Sequence, residues 1–96
     1  MHYVTSVAYE CDYRLLVTFD DEMCKRVNLV RHLDGEIFEP LRDIDMFRTA
    51  RLNSDIDTVV WDNGADMSPD FLYEIGEPIA LETVRKVAES ETEYRV

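Results

Sequence analysis

The sequence predicts an α+β fold, a small antiparallel β-sheet built from a hairpin plus further strands and joined by short helices. Three observations carry this reading. Apolar residues alternate through Arg14–Phe19 and again through Met23–Leu29. A second apolar run, Ile56–Trp61, ends in the chain's one tryptophan. Ser68, Pro69 and Asp70 then read as a helix start: a polar cap, proline at the first helical position, and an acid at the positive end of the dipole.

Taken in order, Val4–Ala8 (VTSVA) is apolar and β-branched, and reads as the first strand. Arg14–Phe19 places Leu15, Val17 and Phe19 on one face. In the next run Met23, Lys25, Val27 and Leu29 alternate against Cys24, Arg26 and Asn28. The acidic break Asp20, Asp21, Glu22 makes a hairpin of the two, without an Asn-Gly turn. From Val30 to Asp45, Gly35 and Pro40 argue against a long helix, because an interior proline removes a donor and clashes with the preceding turn. Short helical turns are expected at Val30–Leu33 and Pro40–Ile44, with Leu33, Phe38, Leu41, Ile44 and Phe47 capping one edge of the sheet. Phe47–Leu52 reads as another strand, broken by Asn53 and Ser54.

Ile56–Trp61 is partly apolar on both faces, as a central or helix-covered strand is. One helix follows the Trp61–Asp66 turn, with Phe71, Leu72 and Ile75 facing inward, and Gly76 and Pro78 stop it. Beyond it, Ile79, Val84, Val87 and Ala88 fall near helical spacing before the polar run ESETE. The expected organisation is a single domain over residues 1–78 and a C-terminal amphipathic helix over 79–96. That tail packs back, pairs with a second copy as a homodimer, or binds a partner.

Ninety-six residues supply one modest core and little material for a deep substrate cleft. The formal charge of −11 repels phosphate backbones and anionic lipid, so direct binding of nucleic acid or membrane is not expected. A small basic protein is a compatible partner. No stretch approaches the ~20 apolar residues of a membrane span, and MHYVTSVAYE lacks a basic region followed by a hydrophobic one. A cytoplasmic location is expected, with Cys11 and Cys24 as free thiols.

Asp62, Asp66, Asp70 and Glu74 recur at every fourth position, which raises the question of a metal site. A calcium loop needs oxygen ligands at its first, third and fifth positions and glutamate at its twelfth. Counting from Asp62, Gly64 stands third and Tyr73 twelfth, and Asn63-Gly64 prevents one continuous helical face. Turn, cap and dipole roles suffice, so no metal and no cofactor are expected. As a patch the stretch says more: from Asp62 to Glu77 there are five acids and no base. Trp61, Asp62, Asp66, Asp70, Glu74 and Glu77 form the candidate interaction surface. The tryptophan is either a buried strand end or an exposed anchor, and the acids attract a basic partner.

Catalytic residues are not expected. The glycines at 35, 64 and 76 are too scattered for a phosphate loop. His2 lies at a terminus expected to be mobile and His32 in a polar turn, and nothing sets either beside Cys11 or Cys24. Lys25, Arg26 and Arg31 are too few for a nucleic-acid surface.

The segments RLLVTFDDEMCKRVNL, LDGEIFEPLRDIDMF and TVVWDNGADMSPDFLYE together resemble a small bacterial domain-of-unknown-function family, number 2442. The most specific part is a W-x-N-G-A-D-x-x-P-x-x-L-Y motif, here Trp61, Asn63, Gly64, Ala65, Asp66, Pro69, Leu72 and Tyr73. Two positions depart from the family's pattern: Asp62 stands where proline is usual, and no glycine follows Asp21 in the hairpin turn. The resemblance implies an α+β fold and no established catalytic residues. It also implies a context of helix-turn-helix relatives and small basic partners in toxin–antitoxin-like pairs.

The expected function is a non-catalytic regulatory or protein-interaction module, an antitoxin-like partner of a small basic protein. The alternative is a ligand-sensing or dimerisation domain of a transcription-regulatory system, lacking its own DNA-binding domain.

Overall fold

Three successive strands build the first sheet. β1 (Val4–Cys11), β2 (Arg14–Phe19) and β3 (Cys24–Asn28) form an antiparallel meander in the computed structural model, which describes residues 1–79. β1 runs three residues past the expected Val4–Ala8, because Tyr9 still pairs with Leu15 and Cys11 with Arg14 before the chain reverses. Asp12 takes the left-handed conformation that this reversal needs (φ 48°). Leu15, Val17, Phe19, Val27 and Leu29 are buried as the alternation predicts, whereas Met23 lies exposed in the turn before β3 and Cys24, expected on the opposite face, is buried.

The acidic turn between β2 and β3 has a definite geometry. The Glu22 amide donates to the Phe19 carbonyl and the Phe19 amide to the Met23 carbonyl, each at 2.9 Å. This is a three-residue hairpin loop whose last residue sits in the left-handed region, and Glu22 has φ 68° there. A side chain in that region costs about 1 kcal/mol. Glu22→Gly is therefore expected to raise stability by roughly 0.5–1 kcal/mol, read as a higher urea midpoint. An unchanged or lower midpoint would show that the turn carries no such strain.

The second sheet comprises β4 (Arg51–Asn53), β5 (Thr58–Val60) and β6 (Asp66–Met67), with β5 central. All three residues of β5 are buried, as its two apolar faces predict. The strand is shorter than Ile56–Trp61, since Asp57 adopts φ 53° and leaves Ile56 exposed in the turn. β4 likewise begins later than Phe47. The Asp43 side chain accepts from the Asp45 amide and starts a one-turn helix, α1 (Ile44–Phe47), which claims Phe47 for the core. A 3-10 turn at Glu39–Arg42 precedes it, and Leu33, Leu41 and Phe47 pack under the sheet while Phe38 is half-buried. In place of a helix at Val30–Leu33 there is a single turn over Leu29–His32, closed by the His32 amide on the Leu29 carbonyl at 2.9 Å, with the Asn28 side chain accepting from the Val30 amide at 3.1 Å.

The two sheets share one core. The Val4 amide donates to the Asp57 carbonyl at 2.9 Å, tying the start of β1 to the second sheet. Val4, Leu15, Val17 and Phe19 on one side meet Val59, Trp61, Ala65 and Met67 on the other. α2 (Pro69–Ile75) closes the layer through the buried Leu72, with Phe71 and Ile75 half-buried. After it β7 (Glu77–Pro78) joins the open edge of β3, so the first sheet has the order β1-β2-β3-β7. The C-terminal amphipathic helix expected over 79–96 lies, past Ile79, outside the described residues.

Candidate functional site

Val59–Glu77 forms a hairpin followed by a helix, and each part has a local cause. The Gly64 amide donates to the Trp61 carbonyl at 3.0 Å and the Trp61 amide to the Ala65 carbonyl at 2.9 Å. Gly64 has φ 88°, which only glycine adopts cheaply. The Asn63 side chain fastens the turn twice, accepting from the Ala65 amide at 3.1 Å and donating to the Ile37 carbonyl at 2.9 Å. The reversal returns as β6, a strand too short for periodicity to reveal, and the Thr58 hydroxyl donates across it to the Met67 carbonyl.

Trp61 belongs to the core, which corrects its place in the candidate interaction surface. It is 1% exposed, and its indole Nε1 donates to the Phe47 carbonyl at 3.0 Å. A buried indole satisfies its one donor in this way and leaves nothing to offer a partner. Ser68 is corrected too. Its side chain makes no cap hydrogen bond, and α2 starts from Pro69 at the first helical position. Asp70, in the first turn, accepts the His2 amide at 2.8 Å.

The carboxylates from Asp62 to Glu77 are all exposed, but their surroundings differ. Asp62 pairs with Arg51 on β4, its own amide donating to the Thr49 hydroxyl at 3.0 Å. Asp70 faces the N-terminal segment, and Glu77 stands on β7 opposite Arg26. Asp66 and Glu74 have no ion-pair partner among the described residues. Among those residues no group of three His, Cys, Asp or Glu side chains is arranged to hold a metal.

Tyr73 gathers a cluster that sequence reasoning misses. The His2 ring stacks on it at 3.6 Å and 6°, and the Lys25 ammonium lies over its ring at 3.6 Å from the centroid. Because the imidazole fills one face, the ammonium occupies the other. Lys25 is 8% exposed and donates to the Tyr73 carbonyl at 2.7 Å, so this cation is a structural tie rather than part of a basic patch. The signal was its alternation with Val27 and Leu29. His2 is likewise a packed side chain, not a loose end, and no local pattern indicates it.

The Tyr73 hydroxyl donates to Asp21 Oδ2 at 2.7 Å, bringing the acidic turn to the helix. That bond, aided by the Met23 amide, holds the Asp21 carboxyl below its ordinary value, and it raises the Tyr73 phenol. The two shifts define a pH window. A lowered carboxylate adds stability above its unfolded pKa and loses it as pH falls through the folded value; a raised phenol adds stability that disappears as pH climbs through its folded value. The stability gap between the wild type and Tyr73→Phe is thus expected to be flat near neutrality and to narrow below roughly pH 4 and above roughly pH 10. Urea melts across pH check it, and a gap that does not vary with pH would show that the bond does not form.

These elements define a class: a small α+β domain of two antiparallel sheets, closed by a short helix that follows a tryptophan-ended strand. The chain belongs to the protein family of unknown function DUF2442, whose model matches residues 4–78. The match spans both sheets and α2. No curated protein and no solved structure matches the chain.

Proposed function

We propose that this domain is a non-catalytic protein-interaction module that docks on a small basic protein, as an antitoxin-like partner does, in the cytoplasm. The observation that carries the reading is how the charges are distributed. Up to Ile79 the sequence holds seventeen carboxylates and seven Lys or Arg. Three of those cations, Arg26, Arg42 and Arg51, are paired with Glu10, Asp34 and Asp62, and Lys25 is buried against Tyr73. The domain's own positive charge is largely engaged internally. Exposed carboxylates such as Asp66 and Glu74 retain an uncompensated field, which speeds the approach of a cationic surface more than it deepens affinity.

Capture from native lysate tests this. At low ionic strength the full chain is expected to retain one small basic protein in stoichiometric amount and to release it in about 0.5 M salt, where the screening length falls to a few ångström. Retention of no basic protein would contradict the proposal.

A further inference from the structure

A cleft of about 710 Å³ opens on the face of the first sheet turned away from the core. Arg14, Arg26 and Asn28 line it because they alternate with the buried Leu15 and Val27. Glu10, Cys11, Ile75 and Glu77 complete the lining. Two of its charges already satisfy each other: Arg26 holds Glu10 through two hydrogen bonds, each 2.7 Å. The other two do not. Among the described residues the half-buried Arg14 guanidinium meets only the Cys11 sulfur, at 3.9 Å, and sulfur is a weak acceptor. Glu77 has no ion-pair partner among the described residues, its neighbour in register, Arg26, being committed to Glu10.

Asn28 lies directly across from Arg14 in the β2–β3 register. Its side-chain oxygen is used by the Val30 amide, so its amide nitrogen remains as a second donor beside Arg14. Cation and amide donors therefore stand at one end of the cleft, and at the other a carboxylate that has no ion pair among the described residues. Arg14 and Glu77 belong to strands two places apart, and their partners on β3 are two residues apart. Strand spacing and rise set their Cα atoms about 12 Å from each other. A simple anion at Arg14 would enter against the field of a chain with formal charge −11. A ligand carrying its own balancing cation would not.

We propose that this cleft binds a dipeptide-sized zwitterion, its carboxylate on Arg14 and Asn28 and its ammonium on Glu77. Dialanine is the probe, titrated into the isotope-labelled full chain and followed by backbone amide shifts. Saturable shifts are expected around Arg14, Asn28 and Glu77, with an affinity on the order of 1 mM. N-acetyl-dialanine and dialanine amide each lack one charge and are expected to bind about tenfold more weakly, as are Arg14→Gln and Glu77→Gln with dialanine itself. Glu77 is exposed, so its variant retains the fold and keeps the test decisive if Arg14→Gln does not. The proposal is overturned if dialanine gives no saturable shift, or if the blocked forms or the Glu77 variant bind as well as the parent pair.

Discussion

Trp61→Ala is expected to destabilise the domain by about 3–5 kcal/mol, the range for truncating a buried tryptophan. The side chain is 1% exposed and packs on Phe47, their ring centroids 6.1 Å apart. It also sits in the same buried cluster as Leu41, Val59, Ala65 and Leu72, residues contributed by four separate segments. Removing it leaves a cavity where those segments meet. Small domains have only about 5–15 kcal/mol in total, so much of the folded population would be lost. Trp61→Phe separates two contributions. It keeps most of the apolar volume but leaves the Phe47 carbonyl without its donor, for an expected loss of about 1–3 kcal/mol. Urea unfolding measures both. If Trp61→Ala left the midpoint where it was, the residue would be an exposed anchor after all.

The second large effect is expected at Gly76, where the reason is space rather than backbone freedom. Its φ of −72° and ψ of 148° suit any residue. A Cβ built there, however, would stand 2.9 Å from Lys25 Cβ and 3.0 Å from the Leu72 carbonyl oxygen. Neither atom is the free end of a side chain, so relief requires moving β3 or the last turn of α2. Gly76→Val is expected to cost about 3 kcal/mol, the upper part of the usual range for overpacking. The damage has a direction. β7 should detach from β3, exposing the Arg26 and Ile79 amides to faster hydrogen exchange before the rest of the first sheet opens. Unaltered stability and exchange would mean that this approach is looser than the structure describes.

What could be read from the sequence divides by the range of the interaction responsible. β2 and the inner face of β3 were legible because Leu15, Val17, Phe19, Val27 and Leu29 obey the two-residue period that burial of one sheet face imposes. β5 was legible as a central strand for a related reason, both faces being apolar. α2 began and ended where Pro69 and Gly76 placed it, since those residues act through local backbone constraints. Two-residue strands such as β6 and β7 have no period at all; they exist because a neighbouring edge offers hydrogen bonds.

Phe47 shows a different limit. Its apolar neighbours suited a strand, but Asp43 capped a helical turn and core packing took the side chain. At the candidate site, the carboxylates were visible as sequence and their exposure followed. The links from His2 to Asp70 and from Asp21 to Tyr73 cross 68 and 52 positions, distances at which no local pattern operates.

Association kinetics show whether the acidic helix region draws in a basic protein. The captured partner is mixed with the wild type and with the Asp66→Asn, Asp70→Asn, Glu74→Gln triple variant at several salt concentrations. These exposed positions lie apart from the cleft that holds Glu77, so a defect here does not depend on a small ligand. For the wild type the association rate is expected to fall steeply with salt. For the variant the expected rate is about tenfold lower at low salt and much less dependent on salt, with dissociation little changed. Equal rates and equal salt dependence for the two proteins would contradict that role for the acidic helix region.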